Sequence, residues 1–107
     1  MDFAFVKIVV FTPLSHASVI CKALAEAGAG HIGNYDSCSF SSRGIGRFRG
    51  GEGSKPFIGK AGELEEVEEE KIETICPAVD LEKVLAAVKK VHPYEEPAID
   101  IYPLLNR

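Results

Sequence analysis

Cysteine is scarce and scattered in this chain: Cys21, Cys38 and Cys76 are the only three. Being odd in number and widely spaced, they lack the close pairing of a zinc site or a redox dithiol, and they read as free thiols packed among apolar residues. Long hydrophobic runs are missing too. The longest, about Phe3 to Phe11, is interrupted by Lys7 and is roughly half of what a membrane-spanning helix needs, so no span is expected. Nor do the first residues show a basic segment followed by a long apolar stretch and a small-residue cleavage site, which leaves a cytoplasmic location as the expectation. His16, His31 and His92 form no HxH or HExxH pairing and none adjoins a cysteine, so no metal site and no cofactor is read from them. Ser18, Ser37 and Ser39 lack the glycine-flanked elbow that exposes a nucleophile. A net charge of −4 argues against general nucleic-acid binding, because backbone phosphates would be repelled.

What is present describes one globule. The 107 residues, 46% of them hydrophobic, suffice for a single core, and no linker or repeat divides them, so residues 1–107 are expected to form one domain. From Ala4 to Phe11 the run AFVKIVVF is apolar at nearly every position, as a central strand covered on both faces would be. Pro13 ends it. Ser15 is placed to cap a helix whose Ala17, Ile20, Leu24 and Ala27 share one face, and Gly28 and Gly30 stop that helix. The stretch YDSCSFSS, Tyr35 to Ser42, alternates and predicts a second strand. Arg43 to Gly62 holds seven of the ten glycines and predicts a long loop or loose hairpin. A third strand is expected around Ile72. Asp80 is placed to cap a second helix carrying Leu81, Val84, Leu85 and Val88, with Lys89 and Lys90 in its last turn, and Pro93 stops it. Ile99 and Ile101 mark a short last strand. The order strand, helix, strand, strand, helix, strand predicts an α+β ferredoxin-like βαββαβ sandwich, an antiparallel sheet with two helices on one face.

Two motifs invite a chemical reading. Gly28 to Gly33 matches GxGxxG, but the glycines follow a helix instead of opening one, so no helix N-terminus is there for a pyrophosphate, and helix termination explains them. The segment His92 to Asp100, HPYEEPAID, holds an imidazole, a phenol and two carboxylates between prolines. Pro93 and Pro97 keep His92 and Glu96 out of helical geometry, so the segment reads as a rigid corner. Glu95 and Glu96 are adjacent and would point to opposite sides of an extended chain, which is poor geometry for paired acid and base. Charge is also segregated: Arg43, Arg47, Arg49, Lys55 and Lys60 precede a run of seven glutamates from Glu63 to Glu73. That separation predicts either anion binding or contact between the basic loop and the acidic strand of a neighbouring subunit.

The segments KIVVFTP, ALAEAGAGHIGNYDSCSF, GIGRF, GSKPFIGKAGELEEVEEEKIETICP and HPYEEPAIDIYPL together resemble the CutA-like domain of the YqfO family, also called NGG-interacting-factor-three-like proteins. HPYE followed by a proline is also similar to CutA itself, a trimer-forming protein linked to divalent-metal tolerance. The resemblance implies a CutA- and PII-like fold that assembles through sheet edges and loops. It implies no catalytic residues for this domain, because the paired metal site of full-length members belongs to flanking domains. Tyr35, His92, Tyr94 and Glu95 are the motif positions it offers as pocket residues, beside Arg47 and Arg49 from the charge pattern. The expectation is a non-catalytic domain that forms a homo-oligomer, a dimer or trimer, and binds a small anion, a small ligand or a partner protein. Two alternatives stand beside it: a divalent-metal protein similar to CutA, in which His16, His31 and His92 converge, and an enzyme with an intersubunit active site built from Tyr94, Glu95 and the loop arginines.

Overall fold

The first apolar run becomes β1, Phe5–Pro13, and it lies inside the sheet. The computed structural model describes residues 3–105, and the first and last two positions of the expected domain, 1–107, lie outside the described residues. β2 (Phe40–Arg49), β3 (Leu64–Pro77) and β4 (Ile99–Leu104) complete a four-stranded sheet in the order β2-β3-β1-β4, with every pair antiparallel. Helices α1 (Ala17–Glu26) and α2 (Leu81–Val91) fill the two crossovers. This is the ferredoxin-like arrangement that the order of elements predicts.

Alternation along β1 sorts the core. Val6, Ile8 and Val10 point to the helices and pack with Ile20 and Leu24 of α1 and Val84 and Val88 of α2. Phe5, Lys7, Val9 and Phe11 point the other way. Val9 is fully buried there as well, which explains why the whole run reads as apolar. No helix among the described residues is long and apolar enough to cross a membrane. The thiols are free, but only Cys76 is fully buried, whereas Cys21 and Cys38 are half-buried.

α1 and its C-cap residue bury the four positions that the periodicity marks: Ala17, Ile20 and Leu24 in the helix and Ala27 at the cap. Its start differs from expectation. A 3-10 turn, Leu14–His16, intervenes, and Ser15 Oγ bonds to His16 Nδ1 at 2.8 Å instead of capping the helix. Its end is as expected: Gly28, at φ +105°, lets its own N–H reach Ala25 O and Ala29 N–H reach Leu24 O, the paired bonds of a left-handed helix stop. α2 follows Asp80, which holds the cap position without a side-chain hydrogen bond, and Lys89 and Lys90 occupy its last turn. His92 leaves it at ψ 133°, the extended geometry that a following proline imposes.

The second strand is displaced from its predicted position. Tyr35 to Ser39 forms a turn and an irregular approach in which Ile32 and Tyr35 bridge each other, and the strand begins at Phe40 and runs through the glycine-rich segment to Arg49. β3 is likewise longer than its alternation suggests. At about 3.3 Å per residue its 14 residues run most of the molecule's 45 Å length. The basic and acidic segments thus pair within one chain: Arg43 lies opposite Glu70 and Arg47 opposite Glu66, with nitrogen to oxygen distances of 3.9 and 3.4 Å.

Candidate functional site

Two connections fold over the helix-free face near the Phe11 end of β1. Residues 50–63 return from β2 to β3, and residues 92–98 carry the chain from α2 to β4. Between them opens a cleft of about 560 Å³. Its floor is Phe11, Gly46, Phe48 and Glu69, which the strand register places on one face of the sheet. Pro56 and Phe57 form one wall, and Tyr94 and Glu95 the other.

The HPYEEP segment earns its rigidity through specific bonds. His92 is buried, with Nε2 donating to Phe11 O at 2.8 Å and Nδ1 accepting the Tyr94 N–H at 3.1 Å. The Tyr94 hydroxyl donates to Glu69 Oε2 at 2.8 Å. Burial pushes the Tyr94 phenol far above its usual range, and the hydrogen bond to Glu69 and that carboxylate's charge push it further, so this group is a proton donor held in place and not a base. Glu95 Oε1 accepts the Lys55 N–H at 3.1 Å and ties the glycine-rich connection to the HPYEEP segment. Around Tyr94 stand His92, Phe48 and Phe57 at centroid separations of 5.1, 6.0 and 6.4 Å, and His16 meets Phe57 edge-on at 5.5 Å.

Arg47, Arg49, Tyr94 and Glu95 all border this one cleft, and His92 underlies it. Alternation along β2 sends the Arg47 and Arg49 side chains away from Phe48, and Arg47 is engaged by Glu66. Tyr35 stands apart, 75% exposed in the turn beyond α1. Phe11, Gly46, Phe48, Phe57 and Glu69 were not singled out by the sequence pattern. Glu69 is one of seven glutamates in its run, and only the register shows that it faces the cleft. Among the described residues no three His, Cys, Asp or Glu side chains gather as a metal site. His16 caps the start of α1 and His31 lies five residues beyond its end, with the helix, about 15 Å long, between them.

No family model matches the chain. It is 58% identical over 100 residues to the GTP cyclohydrolase 1 type 2 homolog of Halalkalibacterium halodurans, covering 94% of this chain and 27% of that protein. The structure of a Bacillus cereus protein related to NIF3 superposes with a TM-score of 0.85 at 51% identity, over 99% of this chain and 27% of the other. The divalent cation tolerance protein CutA of Archaeoglobus fulgidus superposes with a TM-score of 0.70 at 21% identity, over 96% and 86% of the two chains, a likeness of fold alone. The chain spans about a quarter of the length of the curated relatives it matches. With over half its residues shared with one such relative and the backbone fold of CutA, the chain is similar over nearly its whole length to one CutA-like stretch of the NIF3-related GTP cyclohydrolase 1 type 2 homologs.

Proposed function

We propose that this domain performs no chemistry of its own and acts in the cytoplasm by associating with copies of itself, as a dimer or trimer, while its cleft holds a small ligand or a segment of a partner protein. One observation supports the assembly: Phe40 on edge strand β2 and Tyr102 on edge strand β4 are 70% and 50% exposed on the face that the helices leave open. A second copy laid against that face would remove both rings from water.

The cyclohydrolase name belongs to relatives of which this chain spans about a quarter, and the hydrolysis it implies is not carried to this domain. Tyr94 and Glu95 share the cleft as an enzymatic reading would want, but each is already engaged, by Glu69 and by the Lys55 N–H. Metal binding of the kind named for CutA would need histidines from different copies, given the separation of His16 and His31.

Light scattering at micromolar concentration tests the assembly. The expected mass is that of a dimer or trimer, and a Phe40→Ser, Tyr102→Ser double variant with an unchanged circular dichroism spectrum should be smaller. A monomeric parent protein sinks the proposal.

A further inference from the structure

Glu69 is an unusual floor for a cleft. It is 9% exposed, and among the described residues no lysine, arginine or histidine forms an ion pair with it. Its Oε2 accepts the Tyr94 hydroxyl, while its Oε1 lies over Gly46, where any Cβ would collide with the carboxylate. A carboxylate withdrawn from water without a cation is costly, and the hydrogen bond from a neutral phenol offsets part of that cost without neutralising the charge. Lys71, two residues along the same face, is not within ion-pair distance of it.

Beside this carboxylate stand the rings of Phe48, Tyr94 and Phe57. The Phe48–Tyr94 and Phe57–Tyr94 pairs are tilted by 53° and 52°, so neither ring is stacked face to face on Tyr94. Aromatic faces carry negative potential and attract cations, most strongly where water is excluded. Glu95 and Glu96 add two more carboxylates along the rim. An entering anion would meet all of these, whereas the arginine side chains project from the other face of β2. We infer that the cleft receives an organic cation, an alkylammonium or guanidinium group, with Glu69 as counter-ion and Phe48, Phe57 and Tyr94 as aromatic walls. A space of about 560 Å³ also admits the carbon skeleton that carries such a group. The inference rests on the cleft being the domain's binding part, and it is independent of self-association.

A free amine and a lysine or arginine side chain of a partner present the same group. The full chain is therefore titrated, with amide NMR shifts as the readout, against butylammonium, tetramethylammonium and butylguanidinium chlorides, a blocked lysine-containing pentapeptide, and sodium phosphate at matched ionic strength. Shifts at Phe48, Phe57 and Tyr94 are expected with the cations, weakened at least about tenfold in Glu69→Gln and about threefold in Phe57→Ala. Phe57 is 52% exposed in a connection, so its truncation leaves the core intact even where the Glu69 variant folds poorly. Saturation by the free cations assigns a small-molecule ligand, and saturation by the peptide alone assigns a protein segment. Phosphate binding at these residues, no response to any cation at about 10 mM, or affinities unchanged in Phe57→Ala and a folded Glu69→Gln overturns the inference. A monomer that still binds butylammonium would refute the assembly alone, and an oligomer that binds no cation would refute the cation site alone.

Discussion

His92 Nε2 donates a hydrogen bond of 2.8 Å to the carbonyl oxygen of Phe11, tying the residue after α2 to the central strand 81 positions earlier. Nδ1 of the same ring accepts the Tyr94 N–H. A carbonyl only accepts and a peptide N–H only donates, so the two partners select the neutral ring protonated at Nε2. A second proton would set Nδ1–H against the Tyr94 N–H. Burial lowers the His92 pKa from the ordinary 6.5; the Phe11 carbonyl opposes the shift, nearby His16 adds to it, and Glu69 opposes it.

Stability is therefore expected to fall in mild acid. The unfolded chain takes up a proton near pH 6.5 and the folded chain only at lower pH, so the contribution of neutral His92 is complete above 6.5 and is lost as pH falls through the folded-state value. Urea midpoints at about pH 7.5 and 5.5 should differ, and His92→Gln should lose that part of the difference. At neutral pH the variant should also cost about 1–3 kcal/mol, because it disturbs two buried hydrogen bonds. A variant with the parent's full pH dependence would contradict the assignment.

Tyr94→Phe tests the link between the HPYEEP segment and β3. Its hydroxyl is the donor observed on a nearly buried carboxylate, and losing a hydrogen bond to a charged group costs about 1.5–3 kcal/mol. Tyr35→Phe, in an exposed turn, should stay within about 0.5 kcal/mol of the parent. Equal denaturation midpoints for the two variants would remove Glu69 as a meaningful partner.

Gly30 and Gly33 share a motif and a positive φ, +85° and +58°, but not an environment. A Cβ at Gly30 would press against the Cys38 backbone at 2.6 and 2.8 Å, whereas nothing lies within 4 Å at Gly33. Gly33→Ala should cost about 1–2 kcal/mol, the left-handed penalty alone, and Gly30→Ala should cost more than about 3 kcal/mol. Thermal unfolding of the pair checks the order. It also separates a structural corner from a phosphate-binding motif, in which neither glycine's surroundings would set the ranking.

The elements legible in the sequence are those that bury a periodic face. β1, α1 and α2 put Val6, Ile8, Val10, Ile20, Leu24, Val84 and Val88 into one core, so their patterns carry the period of the structure they form. Most side chains of β2 and the first half of β3 are exposed or half-exposed; Arg47 faces Glu66 in solvent, and Arg43 reaches from solvent to the largely covered Glu70. No apolar alternation is imposed on an exposed ribbon, so glycines and charges there resemble a loop. The site was half legible for the same reason. Its HPYEEP wall is conspicuous because prolines and polar side chains rarely crowd so closely, but Glu69 and Gly46 acquire meaning only once the strands are aligned.

That alignment makes Gly46 the most specific test of the cleft. Gly44 and Gly46 lie two residues apart on the same face of β2, facing Glu69 and Val67 of β3. Around Gly44 a Cβ would meet nothing within 4 Å, but at Gly46 it would occupy the space of the Glu69 carboxylate. Gly44→Ala should be neutral or slightly stabilising, since alanine restricts the unfolded chain more than glycine does. Gly46→Ala must swing Glu69 aside or strain the strand pair, at about 1–3 kcal/mol, and it should detach the Tyr94 hydroxyl from its acceptor. A double-mutant cycle of Gly46→Ala with Tyr94→Phe should therefore be non-additive, the second substitution costing less once the first is made. Additive losses would mean that the carboxylate keeps its place without the glycine, and that the floor of the cleft is not built in the way the register implies.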